Sequence, residues 1–115
     1  MKYSDEERIE KIIEKTEALL RFIRENKIGE STILTEEPVQ WAITTPLYNI
    51  GEHAYYISDE FKARYPGIPW TKISGMRHRL VHDYEDTNWN IVVKTVFEVL
   101  PEFLGELKRI EKEIK

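Results

Sequence analysis

Across nearly all of this 115-residue chain, apolar side chains recur at three- and four-residue spacing, the period of one face of an α-helix. Nowhere do they alternate in the two-residue rhythm of a half-buried strand. Ser4-Asp5-Glu6-Glu7 has the form of a capping box, and behind it Ile9, Ile12, Ile13, Thr16, Leu19, Leu20 and Ile23 mark an amphipathic helix over about residues 5 to 27. Gly29 is expected to end it, with a polar connection from Gly29 to Glu36. In the second helix, Val39, Ile43, Leu47, Ile50, Ala54, Ile57 and Phe61 form one apolar stripe, while Trp41, Tyr48 and Tyr55 recur every seven residues on another side. A helix apolar on two faces is either central in a bundle or shared between core and subunit contact; a chain this short favours the second reading. Pro46 predicts a kink or break near Thr44 and Thr45.

Tyr65-Pro66-Gly67-Ile68-Pro69-Trp70 cannot continue a helix and reads as a turn. A third helix is expected from about Trp70 to Asp83 and a fourth from about Asn88 to Ile114, bent at Pro101. The expected fold is therefore all-α, a four- to five-helix up-and-down bundle in one domain spanning residues 1–115.

A hydrophobic content of 41% suffices for a core without disulfides, and the absence of cysteine excludes a thiolate metal site and a cysteine nucleophile. The N-terminus lacks an apolar signal core, and no window approaches the roughly 18 to 20 apolar residues that span a bilayer. A cytoplasmic protein with no membrane partner is expected. The net charge of −4 argues mildly against a general nucleic-acid binder, yet it conceals an asymmetry. From Phe61 to His82 the chain carries Lys62, Arg64, Lys72, Arg77 and Arg79 and no acid, giving this stretch +5 and the remainder −9. A polyanion would bind here, unless Lys62 and Arg64 merely complement a helix dipole.

The chain's three histidines are its best proton carriers near neutral pH, and two of them, His78 and His82, flank Arg79 just after Arg77. An arginine offers a planar fork of donors suited to phosphate, so arginine and histidine together meet the needs of phosphodiester cleavage. On an ideal helix His78 and His82 share a face, as do Arg77 and Tyr84. Arg77 and His82 do not: they stand about 140° apart with a rise of about 7.5 Å. A long arginine side chain, a distortion near His82 or a second subunit could close that gap. Spacing alone leaves open that His82 is a helix-end histidine and Arg77 a surface cation. Zinc at His78 and His82 is a weaker alternative, lacking the intervening Glu and a matched third ligand. Ser74 has no glycine-framed turn around it, which disfavours a serine triad.

The run Gly75-Met76-Arg77-His78-Arg79-Leu80-Val81-His82-Asp83-Tyr84 resembles the Arg-x4-His-x-Tyr signature of HepT-like proteins in the HEPN superfamily. Ile50-Gly51-Glu52, Ile57-Ser58-Asp59-Glu60-Phe61, the Tyr65–Trp70 turn and Leu100-Pro101-Glu102 extend the likeness over residues 50 to 104. The first helix fits by periodicity alone. The resemblance implies a HEPN-like helical bundle that forms a homodimer with the motifs lining a shared cleft. It further implies a metal-independent ribonuclease toxin, needing no cofactor, paired with a minimal nucleotidyltransferase antitoxin. Arg77 would then bind the scissile phosphate of an RNA substrate and His82 would act as general acid or base, with His78, Arg79 and Glu52 in support. Tyr84 would be the residue that the antitoxin AMPylates, or alternatively an aromatic end to the third helix. Three departures stand out: His78 replaces a usual Asn, Thr45-Pro46 replaces a usual Arg-Asn pair, and His53 replaces a small residue. His53 is read as a packed histidine or an addition to the cleft.

Overall fold

Ser4 starts the first helix by accepting from the Glu7 amide at 3.1 Å, while the Glu7 carboxylate accepts from the Ser4 amide at 2.8 Å. That reciprocal cap holds the Glu7 carboxyl below its usual range, chiefly through the backbone hydrogen bond at Ser4. The computed structural model describes residues 3–82 and 84–114, with the side chains of residues 78, 79, 81, 82 and 84 outside that description. The described elements are all helical: α1 (Asp5–Glu25), α2 (Glu30–Thr35), α3 (Glu37–Tyr56), α4 (Asp59–Arg64), α5 (Trp70–His82), α6 (Trp89–Lys94) and α7 (Leu100–Ile114). A 3₁₀ turn at Tyr84–Asp86 follows α5, and a π turn at Thr95–Val99 joins α6 to α7. Four long segments thus make the bundle, with α2 and α4 as short connectors. α3 packs against both α1 and α5, and α1 also packs against α7.

The apolar stripes read from the sequence do face the core: Ile9, Ile12, Ile43, Leu47, Phe103 and Leu107 are all buried. Local departures each have a cause. Lys27, not Gly29, takes the left-handed conformation that ends α1 (φ 52°). The Lys27 amide donates to the Arg24 carbonyl at 3.2 Å and the Ile28 amide to the Ile23 carbonyl at 3.0 Å, the pattern of a Schellman motif. The stretch after Gly29 is helical because Ile33 is fully buried and anchors it.

Pro46 does not break α3, which is continuous from Glu37 to Tyr56. A proline in a helix interior costs about 3 kcal/mol. Burial of the neighbouring Ile43, Leu47 and Ile50 offsets this, at about 1.5–3 kcal/mol for each side chain. The helix instead ends before Phe61. Ser58 caps α4 by accepting from the Phe61 amide at 3.1 Å, and its hydroxyl donates to Asp5 at 2.7 Å. Before Pro101, where a bend was expected, the helix takes a π turn at Thr95–Val99. In the π turn the Leu100 amide donates to the Thr95 carbonyl, an i to i−5 bond that relieves the clash a proline ring makes with the carbonyl four residues back.

Candidate active site

The approach of α5 to α3 is set by Gly51. A methyl group there would lie 2.8 Å from the Arg77 amide nitrogen, 3.1 Å from the Ile73 carbonyl oxygen and 3.2 Å from Arg77 Cβ. The first two atoms are backbone and cannot swing aside, so only glycine permits this crossing. Trp70 fixes the start of α5 from the other end. Its indole N–H donates to the Tyr65 carbonyl at 3.0 Å, and its ring meets Phe61 and Phe103 edge-on. The Pro-Gly-Ile-Pro turn is thereby tied into the core, as its punctuation requires.

Close crossing brings Glu52 on α3 to Arg77 on α5. The Arg77 Nε–H donates to Glu52 Oε1 at 2.5 Å, and the guanidinium carbon lies 4.2 Å from the Tyr55 ring centroid and 5.6 Å from that of Tyr56. Both partners of the ion pair remain about one-third exposed. The Glu52 hydrogen bond is the main cause that raises the Arg77 pKa above its ordinary value. A carboxylate on one edge and an aromatic face beneath restrict this arginine to few rotamers. Its planar fork can then meet an incoming oxyanion with little further loss of entropy.

Helix α5 keeps α-helical geometry through His82. The backbone is therefore undistorted between Arg77 and His82, and positions 77 and 82 stand about 140° apart around the axis, with a rise of about 7.5 Å. The change from α-helical geometry that the structure describes comes after His82, at the 3₁₀ turn that Tyr84 opens beyond the end of α5. The expectations for the side chains of His78, Arg79, His82 and Tyr84, the two-histidine metal reading included, lie outside the described residues.

His53 is half-buried one residue beyond Glu52 and packs rather than opening to solvent. Its Nδ1 lies 3.0 Å from Nη1 of Arg8, a hydrogen bond that the charged guanidinium donates, and its ring meets Tyr3 edge-on. Arg8 is only 5% exposed. It stacks near the Tyr3 and Tyr56 rings at 5.4 and 5.2 Å, and its Nε has no hydrogen-bond partner among the described residues. Burial first, then the charges of Arg8 and Lys11, lower the His53 pKa, so the ring is held neutral as an acceptor. Helical spacing does place Arg8 on the buried face, four residues before Ile12 and eight before Thr16, but its charge hides it among the solvent-facing residues. A further signal was its place one residue before Ile9 on the buried stripe, opposite a histidine where a small residue is usual. Tyr56 thus lies between two arginines, Arg8 and Arg77.

The sequence profile described as "Ribonuclease HepT-like" matches residues 6–110. A protein named "Probable ribonuclease HepT" from Thermococcus cleftensis is 33% identical over 112 residues, covering 97% of this chain and 100% of that protein. A candidate RNase of Caldanaerobacter subterraneus is 28% identical over 102 residues, or 89% of each chain. A candidate RNase of Methanocaldococcus jannaschii is 26% identical over 97 residues, covering 84% of this chain and 87% of its own. No solved structure gives a significant match. With the family profile spanning most of its length, the chain belongs to the HepT-like ribonuclease family.

Proposed function

We propose that this protein is a metal-independent endoribonuclease in which Arg77 and His82 promote attack of a ribose 2′-hydroxyl on the adjacent phosphodiester. The observation that carries the reading is the fixation of Arg77 by Glu52 and Tyr55 at the end of an acid-free, cationic stretch. Arginine binds the non-bridging oxygens and stabilises the charge that develops on them, worth on the order of 100- to 1,000-fold when one such donor is removed. His82 takes the 2′-hydroxyl proton or gives one to the leaving 5′-oxygen, and general acid–base catalysis contributes about 100- to 10,000-fold. His78 and Arg79 support the pair, one by hydrogen bonding and the other by added charge. No cofactor is assigned a step.

A second copy of the chain would cover the outer face of α3, where Trp41 is 57% and Tyr55 50% exposed. Because Tyr55 also stacks on Arg77, a homodimer seam there would run past the site and bring two motifs together. That supplies a way to span the 140° gap. Within a toxin–antitoxin pair in the cytoplasm, a minimal nucleotidyltransferase would be the partner. A second reading makes Tyr84 the acceptor of AMP from that enzyme. The exposed Glu85 and Asp86 beside it favour a turn that another protein can reach. Intact-mass and peptide analysis after incubation with ATP and the active partner enzyme would show adenylate on Tyr84, and an unmodified peptide would sink this reading.

The primary test is cleavage of single-stranded RNA in EDTA. Wild type is expected to cut, and Arg77→Ala and His82→Ala to lose at least about 100-fold while keeping helical circular dichroism. Undiminished cleavage by both variants would refute the assignment.

A further inference from the structure

The opposite side of α5 from Arg77 borders a groove of about 410 Å³ against α6, walled by Thr71, Lys72, Asn90, Ile91 and Lys94, with Gly75 in its floor. No acidic side chain lines it. Of the described cations in the acid-free stretch, Arg77 is engaged by Glu52, Lys62 donates to the Tyr55 carbonyl, and Arg64 lies over Phe61. Lys72 has no ion-pair partner among the described residues, and α6 sets Lys94 across the groove from it, likewise without one.

Gly75 has no fold-based reason to be glycine. It lies inside α5, its φ is not positive, and an added methyl would meet no atom within 4 Å. A helix-interior glycine costs about 0.5–1 kcal/mol relative to alanine, so stability alone favours a side chain here. What glycine provides is an open floor. Above that floor the Ile91 side chain is 39% exposed, an apolar surface beside the polar Asn90. Thr95 also lines the groove, but its hydroxyl is committed to the Ile91 carbonyl at 2.9 Å, which leaves Asn90 as the amide able to meet a base or ribose edge. Lys72 and Val99 also border a second groove of about 310 Å³, whose further lining includes Glu98, Glu102 and Glu106, acids that disfavour a polyanion on that side. The acid-free groove is therefore the one of the two whose charge suits RNA.

Seven residues along a continuous helix, position 82 returns to within about 20° of position 75, some 10.5 Å further along the axis. The groove and the His82 position thus share a face of α5. We propose that the α5–α6 groove is a nucleotide subsite for single-stranded RNA flanking the cleaved phosphate. Lys72 and Lys94 hold backbone phosphates, Ile91 supports a base and Gly75 leaves room for it. This rests on the ribonuclease reading, and extends it by naming where the substrate lies beyond the reacting bond.

The test is binding of a fluorescent 2′-O-methyl oligoribonucleotide, which cannot be cut by its own 2′-oxygen, measured by anisotropy alongside cleavage of the unmodified RNA. Lys72→Gln/Lys94→Gln should weaken binding about tenfold and flatten the salt dependence by roughly 1.4 in log–log slope. Gly75→Met should weaken binding severalfold with an unchanged or raised melting temperature, and light scattering should show an unchanged oligomeric state. Wild-type binding by both variants, or loss of oligomer in Gly75→Met, would overturn the subsite. If the lysine and glycine variants lose binding while wild type fails to cut RNA, the subsite stands and the catalytic reading falls.

Discussion

Gly51 on α3 and Gly75 within α5 are both interior helix glycines, and they serve opposite ends. At Gly51 the absent side chain lets two backbones approach until a methyl would lie 2.8 Å from the Arg77 nitrogen. At Gly75 the same absence leaves a space that nothing in the described protein fills. One flank of α5 is therefore locked against α3, with Arg77 gripped by a carboxylate and two rings, while the other stays open toward α6. Contact and vacancy look identical in the sequence. They differ only in what stands opposite: the locked flank holds the Arg77 charge in place, while the open one leaves the room that the proposed RNA subsite requires.

The largest effect on that contrast is expected from Gly51→Ala. Overpacking against backbone costs about 1–3 kcal/mol, more than the roughly 1 kcal/mol of helix propensity that alanine returns. Urea denaturation should show net destabilisation, and cleavage should fall as Glu52 and Arg77 separate. Next comes Glu52→Gln, which removes the carboxylate and keeps the shape. Because the pair is part-exposed, its loss should cost under about 1 kcal/mol of stability. Turnover should nevertheless fall on the order of tenfold to a hundredfold through misplacement of the arginine. Equal losses of stability and activity would instead make Glu52 purely structural.

Smaller and opposite in sign is Gly75→Ala, expected to raise stability by about 0.5–1 kcal/mol, because nothing obstructs the new methyl. A destabilised Gly75→Ala would show that the open flank is packed in solution. The smallest effect concerns His53, whose folded-state pKa lies below its unfolded value. Below about pH 6.5 the unfolded chain takes up a proton that the folded ring resists, so this contribution is present above that pH and is lost as pH falls toward the folded pKa. The facing charges, Arg8, Lys11 and Lys15 on α1 and Glu52 on α3, include three that oppose protonation. Stability measured from pH 7.5 to 5.5 should fall less steeply in His53→Gln than in wild type.

Much of the fold was legible because burial in a helical bundle imposes a 3.6-residue period, and the stripes at Ile9 to Ile23 and Val39 to Ile57 obey it. Boundaries were less legible. Lys27 takes a left-handed turn that glycine would adopt more easily, and Ser58 ends one helix by capping the next. Pro46 and Pro101 were visible as disturbances, but whether a helix absorbs a proline or turns π beside it depends on packing that spacing does not encode. At the site, the Arg-His-Tyr run was readable as a local pattern. The Glu52–Arg77 pair joins residues 25 apart, and the Arg8–His53 pair residues 45 apart, so each needed the crossing helices to exist first.

The assignment of Arg77 and His82 to 2′-hydroxyl chemistry can be tested on one bond. An RNA of single cleavage site, prepared with either a ribose or a 2′-deoxyribose 5′ to that phosphate, would be incubated with wild type in EDTA and its products resolved by mass. The ribose substrate should yield a 2′,3′-cyclic phosphate and a 5′-hydroxyl end, and the deoxy substrate should stay intact. Cleavage of the deoxy substrate, or a 5′-phosphate product from either, would contradict the mechanism.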